Sequence, residues 1–209
     1  MITPSRLLIG TAAPAAQGLE LVEVISSQRM PIRAATAAKW SQAPVQYVVR
    51  LGRQFTEQRL MAPSAITVFK EGLWPLLRAR KLAALLLRFP ADFAFQRANR
   101  DHLLALRRAF HEFPLVMELP HESWLEDEAQ AVLIDHRVAF ANGPATARLT
   151  NGLGFIRVQS RADLERVRRV ARFADRTLVI AGSPELALDL QDELWGVQPG
   201  FDFAHRAVA

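Results

Sequence analysis

The stretch Leu115–Trp124, LVMELPHESW, decides the fold of this chain. It starts as an apolar, strand-like run that carries a single acid, Glu118, and then opens into the polar segment Pro120–Trp124. A carboxylate near the end of a buried strand, followed by a polar loop, is the arrangement in which α/β barrels place their ligand-facing residues. The stretch therefore favours an α/β barrel with Glu118 near its mouth.

Seven other apolar runs share this strand-like character, and several are nearly continuously apolar, as in strands that are covered on both faces. The eight predicted strands are Leu7–Thr11, Leu19–Ile25, Gln46–Leu51, Leu82–Phe89, Leu115–Leu119, Val138–Ala141, Gly154–Gln159 and Leu178–Ala181. Helical patterns lie between most of them. Ser123 with Glu126 predicts a capping box at one helix start, and Pro75 is expected to kink or break a helix over Ala65–Arg80.

Alternating strands and helices predict a parallel sheet with right-handed crossovers. Eight such units predict a (β/α)8 TIM-like barrel, with residues 1–209 as a single domain and 197–209 as a C-terminal tail. The connection over residues 12–18 is shorter than the dozen or more residues of a usual crossover. Any incompleteness of the barrel is therefore expected beside this first crossover. The alternative fold is an open, doubly wound parallel sheet.

Composition narrows the class of protein. Half of the 209 residues are apolar and 22% are charged, which is typical of a globular protein. The absence of cysteine excludes disulfides, a thiol nucleophile and thiolate metal ligands. The net charge of +5 comes mostly from arginines spread along the chain, so a solvated helix face is favoured over a nucleic-acid interface. Electrostatic steering of a small anion is an equally good use of the excess charge. No apolar run approaches the roughly 20 residues of a membrane span, and we expect a cytoplasmic protein with no membrane partner.

Four charged residues interrupt otherwise apolar strands: Glu23, Arg50, Glu118 and Arg157. Alternate residues of a barrel strand face the interior, so all four are candidates for interior positions. Buried charges must be paired. One interpretation is a polar floor under a ligand pocket, in which the arginines hold a carboxylate or phosphate in a fork. The other is a structural ion network in the barrel core.

The polar segment after the fifth predicted strand supplies further candidates. His121 is a candidate general acid or base beside Glu118, and these two are the predicted catalytic residues. Glu122 and Trp124 are candidate ligand contacts, the tryptophan as a stacking platform. The chain has no His-Glu-x-x-His pattern, P-loop or Gly-x-Gly-x-x-Gly fingerprint, so neither a metal nor a cofactor is expected.

Five short motifs follow one another along the chain: Ile9–Thr11, Val22–Ser27, Leu85–Pro90, Val116–Trp124 and Phe155–Gln159. In this order they resemble the motifs of the YecE-like family of TIM-barrel proteins (domain of unknown function 72). The family's motifs include an apolar strand ending in Gln-Phe-Pro and the signature Val-Glu-Phe-Arg-His-x-Ser-Trp. The resemblance covers most of the chain and implies a TIM barrel without an assigned reaction.

Several polar positions of that family are altered here. Arg88 stands for the Gln before Phe-Pro, Pro120 for the signature Arg, Gln159 for a late His, and Ile25 for an Asn. The family's first helix, after Thr11, is missing. The chain thus resembles a divergent, shortened member. Arg88 and Gln159 occupy polar positions of the family and join Glu23, Arg50, Glu122, Trp124 and Arg157 as predicted ligand-binding residues.

The sequence thus predicts an uncharacterised barrel that binds a small anionic or polyhydroxy ligand at its C-terminal face, with catalysis left open. One alternative is a degenerate, non-catalytic family member that acts as a structural or interaction protein, with a second copy as its partner in a homodimer. The other alternative is a nucleic-acid-associated protein.

Overall fold

Eight parallel strands form the centre of the fold in the computed structural model, which describes residues 6–12, 18–141 and 149–195. The strands are β1 (Arg6–Thr11), β2 (Leu21–Val24), β3 (Gln46–Arg50), β4 (Leu82–Arg88), β5 (Leu115–Glu118), β6 (Ala139–Phe140), β7 (Leu153–Val158) and β8 (Arg176–Ala181). Each overlaps one of the eight apolar runs, so the strand predictions are confirmed with bounds that differ by a few residues. The predicted tail over residues 197–209 lies outside the described residues.

Helices separate most of the strands. They are α1 (Ala34–Trp40), α2 (Arg53–Thr56), α3 (Pro63–Arg78), α4 (Arg97–Ala109), α5 (Asp127–Asp135), α6 (Leu164–Phe173) and α7 (Pro184–Trp195). Of the predicted kink or break at Pro75, the break is excluded, because α3 continues through this residue to Arg78. Pro75 removes one hydrogen bond near the end of the helix, while its neighbours Leu73 and Leu76 are fully buried and hold this turn against the core.

The strands follow one another around the sheet in the order β6-β5-β4-β3-β2-β1-β8-β7. β1 pairs with β8 over its whole length, from Arg6 opposite Arg176 to Thr11 opposite Ala181. This is the order of a TIM-like barrel, which confirms the predicted fold and excludes the doubly wound alternative. None of the helices within the described ranges is long and apolar enough to cross a membrane.

The incompletely bonded seam of the barrel lies between β6 and β7, where Ala141 and Phe155 form an isolated parallel bridge. β6 contributes only two residues to the ladder, so few backbone groups are available there. We expected the weak point beside the first crossover instead. β1 and β2 are paired there, although only Gly10 with Leu21 and Thr11 with Val22 are in register.

Gly10 permits the close approach of β1 to β2. A Cβ atom at this position would lie 1.7 Å from the carbonyl oxygen of Leu21, well inside any allowed contact. The two strands can therefore pair at this spacing only because residue 10 has no side chain.

The two faces of the strands pack differently. Residues such as Leu21, Val48, Val116 and Phe155 belong to one apolar cluster that fills the barrel interior. Their neighbours along the strands pack outwards against the helices, for example Met117 in the layer beneath α4 and α5. This alternation decides which side chains reach the mouth of the barrel.

Candidate functional site

A charged layer lies directly above the apolar interior of the barrel. Two residues beyond each of the interior residues Leu21, Val48, Val116 and Phe155, the strands carry Glu23, Arg50, Glu118 and Arg157. Because side chains alternate along a strand, the charged residues project to the same side as the apolar ones. They stand towards the C-terminal ends of β2, β3, β5 and β7, so four strands place charges at one end of the barrel.

Glu23 is the centre of this layer. It is 1% exposed, and two arginines bind its carboxylate. The Nε atom of Arg50 donates to Oε1 at 2.6 Å, and the two terminal nitrogens of Arg157 donate to Oε1 and Oε2 at 2.8 Å each. A bidentate arginine fork of this kind is the strongest form of protein ion pair.

Arg157 joins the two carboxylates. Its Nε lies 3.0 Å from Oε1 of Glu118, and one terminal nitrogen lies 3.2 Å from Oε2 of the same residue. The guanidinium also sits above the ring of Phe155, 5.6 Å from the ring centroid. Burial alone would lower the pKa of Arg157, but the hydrogen bonds to Glu23 and Glu118 outweigh this and raise it. The predicted arginine fork therefore holds the protein's own carboxylates.

The ionisation of Glu23 makes folding stability depend on pH. Burial alone would raise the pKa of Glu23, but hydrogen bonds and opposite charges from Arg157 and Arg50 outweigh burial and hold the pKa below its ordinary value of 4.5. The unfolded chain then binds a proton more readily than the folded protein does. This contribution to stability is present above pH 4.5 and is lost as the pH falls through the folded pKa.

We therefore expect the difference in unfolding free energy between the wild type and Glu23→Gln to shrink as the pH falls below 4.5. Urea unfolding followed by circular dichroism at pH 7 and at a series of acidic values measures this difference. A gap that stays constant down to the acid limit of folding would show that Glu23 is not held in its ionised form by the arginines.

The outer edge of the layer is more open. Arg88, at the end of β4, is 57% exposed in its side chain, and its Nε lies 3.8 Å from Glu118. On the other side, Arg50 donates to the amide oxygen of Gln28 at 3.1 Å. The buried Ser27 hydroxyl donates to the carbonyl oxygen of Arg50 at 2.8 Å. Sequence reasoning missed Ser27 and Gln28, although the polar run directly after the β2 stretch was a visible signal.

A pocket of about 270 Å³ opens beside Glu118, at the C-terminal ends of β5 and β6 and next to the seam. His121 lines the same pocket, so the structure brings the two predicted catalytic residues to one cavity. The remaining walls are mostly apolar and are formed by Leu119, Pro120, Leu125, Phe140 and Ala141. Two polar side chains on an apolar wall are typical of a small-molecule site.

Local hydrogen bonds determine which ring nitrogen of His121 carries the proton. Ser123 Oγ accepts the backbone N–H of Phe95 at 2.7 Å and lies 2.9 Å from Nδ1 of His121, while the N–H of Ser123 donates to the same nitrogen at 3.2 Å. Nδ1 is thus an acceptor, and the neutral ring carries its proton on Nε2.

The predicted capping box of Ser123 and Glu126 is wrong. His121 caps a short turn over Glu122–Leu125, and α5 starts at Asp127 without a side-chain cap.

Trp124 is a core residue. Its ring is 0% exposed and lies parallel to that of Phe93 with 6.0 Å between the centroids, and its Nε1 donates to the Phe93 carbonyl at 2.7 Å. The prediction of a stacking platform is therefore wrong, because no ligand can reach the ring. Glu122 and Gln159 are exposed and do not line the pocket beside Glu118. Their roles, like the catalytic roles of Glu118 and His121, stay predictions.

Within residues 6–12, 18–141 and 149–195, no three acidic or histidine side chains are grouped so that they could hold a metal ion.

Comparisons with known proteins agree with this architecture. A family model described as protein of unknown function DUF72 matches residues 13–188. A DUF72 family protein from Enterococcus faecalis V583 is 20% identical, with a TM-score of 0.78, and the match covers 95% of this chain and all of that one. A DUF72 family protein from Thermotoga maritima MSB8 is 18% identical, with a TM-score of 0.69 and coverage of 87% and 86%. None of the curated proteins matches this chain.

Proposed function

Because the chain belongs to the DUF72 family, whose function is unknown, its fold brings no reaction with it, and we propose from its own side chains that it binds a small polyhydroxy molecule at the C-terminal face of the barrel. The binding site is the pocket beside Glu118 and His121. We assign ligand binding and no reaction.

One observation carries this proposal: a hydrogen-bond acceptor and a donor line one pocket with apolar walls. Each carboxylate oxygen of Glu118 accepts one bond from Arg157 and keeps a second lone pair. His121 uses Nδ1 within its own turn, which leaves its Nε2–H as the donor. A hydroxyl group both donates and accepts, so it matches this pair. The apolar wall suits the carbon face of a sugar-like ring.

The balance of charge favours a polyhydroxy ligand over an anion. Anion binding needs a guanidinium whose donors are uncommitted. Arg157 instead donates four hydrogen bonds to Glu23 and Glu118. A negatively charged ligand in this pocket would also lie against the Glu118 carboxylate. Arg88 offers the more exposed cation for an acidic substituent at the rim.

Blocking the pocket tests the proposal without touching the ion network. Leu125 lines the pocket and is 46% exposed, so Leu125→Trp should fill the cavity with little strain. A panel of pentoses, hexoses and their aldonic and uronic acids serves as the probe in a thermal-shift assay. A probe at about one hundred times its Kd should raise the wild-type Tm by about 5 to 10 °C. This shift should disappear in Leu125→Trp.

The matched control is Ile134→Trp, because Ile134 is 39% exposed on α5 and does not line the pocket. Its probe-induced shift should equal that of the wild type. Glu118→Gln, which keeps the side-chain volume, should reduce the shift. The proposal fails when no probe shifts the wild type, or when Leu125→Trp responds as the wild type does. A response to the acids alone would favour an anionic ligand instead.

The remaining expectations stay predictions. They are a cytoplasmic location, a homodimer, and the alternatives of a non-catalytic interaction protein or a nucleic-acid-associated protein. Light scattering over a range of protein concentrations measures the oligomeric state.

A further inference from the structure

A second pocket, of about 480 Å³, lies at the opposite end of the barrel from Glu118. The C-terminal ends of α4 and α5 form it, where the chain leads into the N-terminal ends of β5 and β6. Its lining residues are Arg107, Arg108, His111, Asp135, His136 and Arg137. With the histidines neutral, the three arginines exceed the single carboxylate by two charges.

The arginines of this pocket form no ion pair with another described residue. Arg107 donates through Nε to the carbonyl oxygen of His136 at 3.2 Å, which ties the two helix ends together. Across the described ranges, no acidic group lies within ion-pair distance of Arg107, Arg108 or Arg137. This contrasts with Arg157, whose donors are turned inward to the protein's own carboxylates.

Arg137 occupies a backbone position at which glycine is the favoured residue. Its φ is 51°, in the left-handed region. Its N–H donates to the carbonyl oxygen of Ile134, and that of Val138 donates to Leu133, so Arg137 terminates α5 in a Schellman turn. An L-residue with a side chain is strained there, and glycine is not. From this position the side chain of Arg137 adds a third guanidinium to the pocket.

We propose that this pocket binds the phosphate groups of a small phosphorylated molecule. A phosphate presents several acceptor oxygens and can take hydrogen bonds from more than one guanidinium fork at a time. The pocket volume suits a molecule of small-metabolite size. This site is separate from the proposed polyhydroxy site, because the two lie at opposite ends of the strands.

A glycine substitution separates a binding role from a structural one. Arg137→Gly removes the guanidinium and also relieves the backbone, so it should raise the Tm by about 2 to 4 °C. The same variant should weaken the binding of inorganic pyrophosphate, measured by isothermal titration calorimetry, by about tenfold. Sulfate at matched ionic strength should not replace pyrophosphate in the wild type.

Arg80→Gly is the matched control. Arg80 has a φ of 56° at the end of α3, in the same type of turn, and it does not line the pocket. This variant should gain stability and keep wild-type pyrophosphate binding. The proposal is overturned when the wild type binds no pyrophosphate, or when Arg137→Gly binds it as tightly as the wild type. Binding of a single-stranded oligonucleotide but not of pyrophosphate would equally overturn it, in favour of a nucleic-acid surface.

Discussion

Glu23→Gln is expected to lower the free energy of unfolding by about 3 to 5 kcal/mol, because it leaves the buried Arg50 without a paired charge and Arg157 with Glu118 alone. The side chain of Glu23 is fully buried, and Arg50 and Arg157 both donate to it at 2.6 to 2.8 Å. A glutamine of nearly the same shape keeps the packing but supplies one neutral acceptor oxygen. The loss therefore measures the uncompensated charge rather than a cavity.

Glu57→Gln is the matched control for this experiment, since it makes the same chemical change in an exposed pair. Glu57 accepts from the Nε of Arg53 at 2.9 Å, one helical turn away on the protein surface. Urea unfolding at pH 7 should show no measurable change for this variant. Equal stability of Glu23→Gln and the wild type would mean that water or a rearrangement compensates the arginines, and that the charged layer is not a buried network.

Gly10→Ala should be the second most damaging of these substitutions, with a loss of about 3 kcal/mol or more. The added methyl group would lie 1.7 Å from the backbone oxygen of Leu21. A backbone atom in a paired strand cannot turn aside as a side chain can, so β1 and β2 must separate. Their pairing is only two residues long and includes Gly10, so the separation removes it altogether.

Gly52→Ala tests whether this loss comes from the contact rather than from the loss of glycine. A Cβ at residue 52 would meet Phe55 at 3.4 Å, an ordinary contact, and its φ of −59° suits alanine. The unfolding free energy of Gly52→Ala should stay within about 0.5 kcal/mol of the wild type, and we expect a small increase rather than a decrease. Wild-type stability in Gly10→Ala would show that β1 and β2 can accommodate a side chain at residue 10.

The strands were predictable because a strand that is buried on both faces has a nearly uninterrupted apolar sequence, and each of the eight runs overlaps a strand. The charged layer was predictable for a related reason. A single Glu or Arg in such a run, as at Glu23 or Arg157, is expected to lie in the barrel interior or at its mouth.

The sequence could not show which residues form hydrogen bonds with partners far away along the chain. Ser123 and Glu126 carry the pattern of a capping box, yet the Ser123 hydroxyl accepts the N–H of Phe95, 28 residues earlier in the chain. Trp124 follows a polar loop, as a ligand platform would, yet its indole N–H reaches the carbonyl of Phe93. In the same way, only the assembled barrel shows that the fork of Arg157 is filled by Glu23 and Glu118.

The full-length pairing of β1 with β8 has a consequence for biosynthesis. β1 leaves the ribosome before β8 does, and until residues Arg176–Ala181 are made, its only strand partner among the described residues is the two-residue contact with β2. One edge of β1 therefore stays unpaired until β8 is synthesised, and such edges promote aggregation and recruit chaperones. Docking of β8 is then the late event that completes the sheet, and contacts this distant along the chain form slowly.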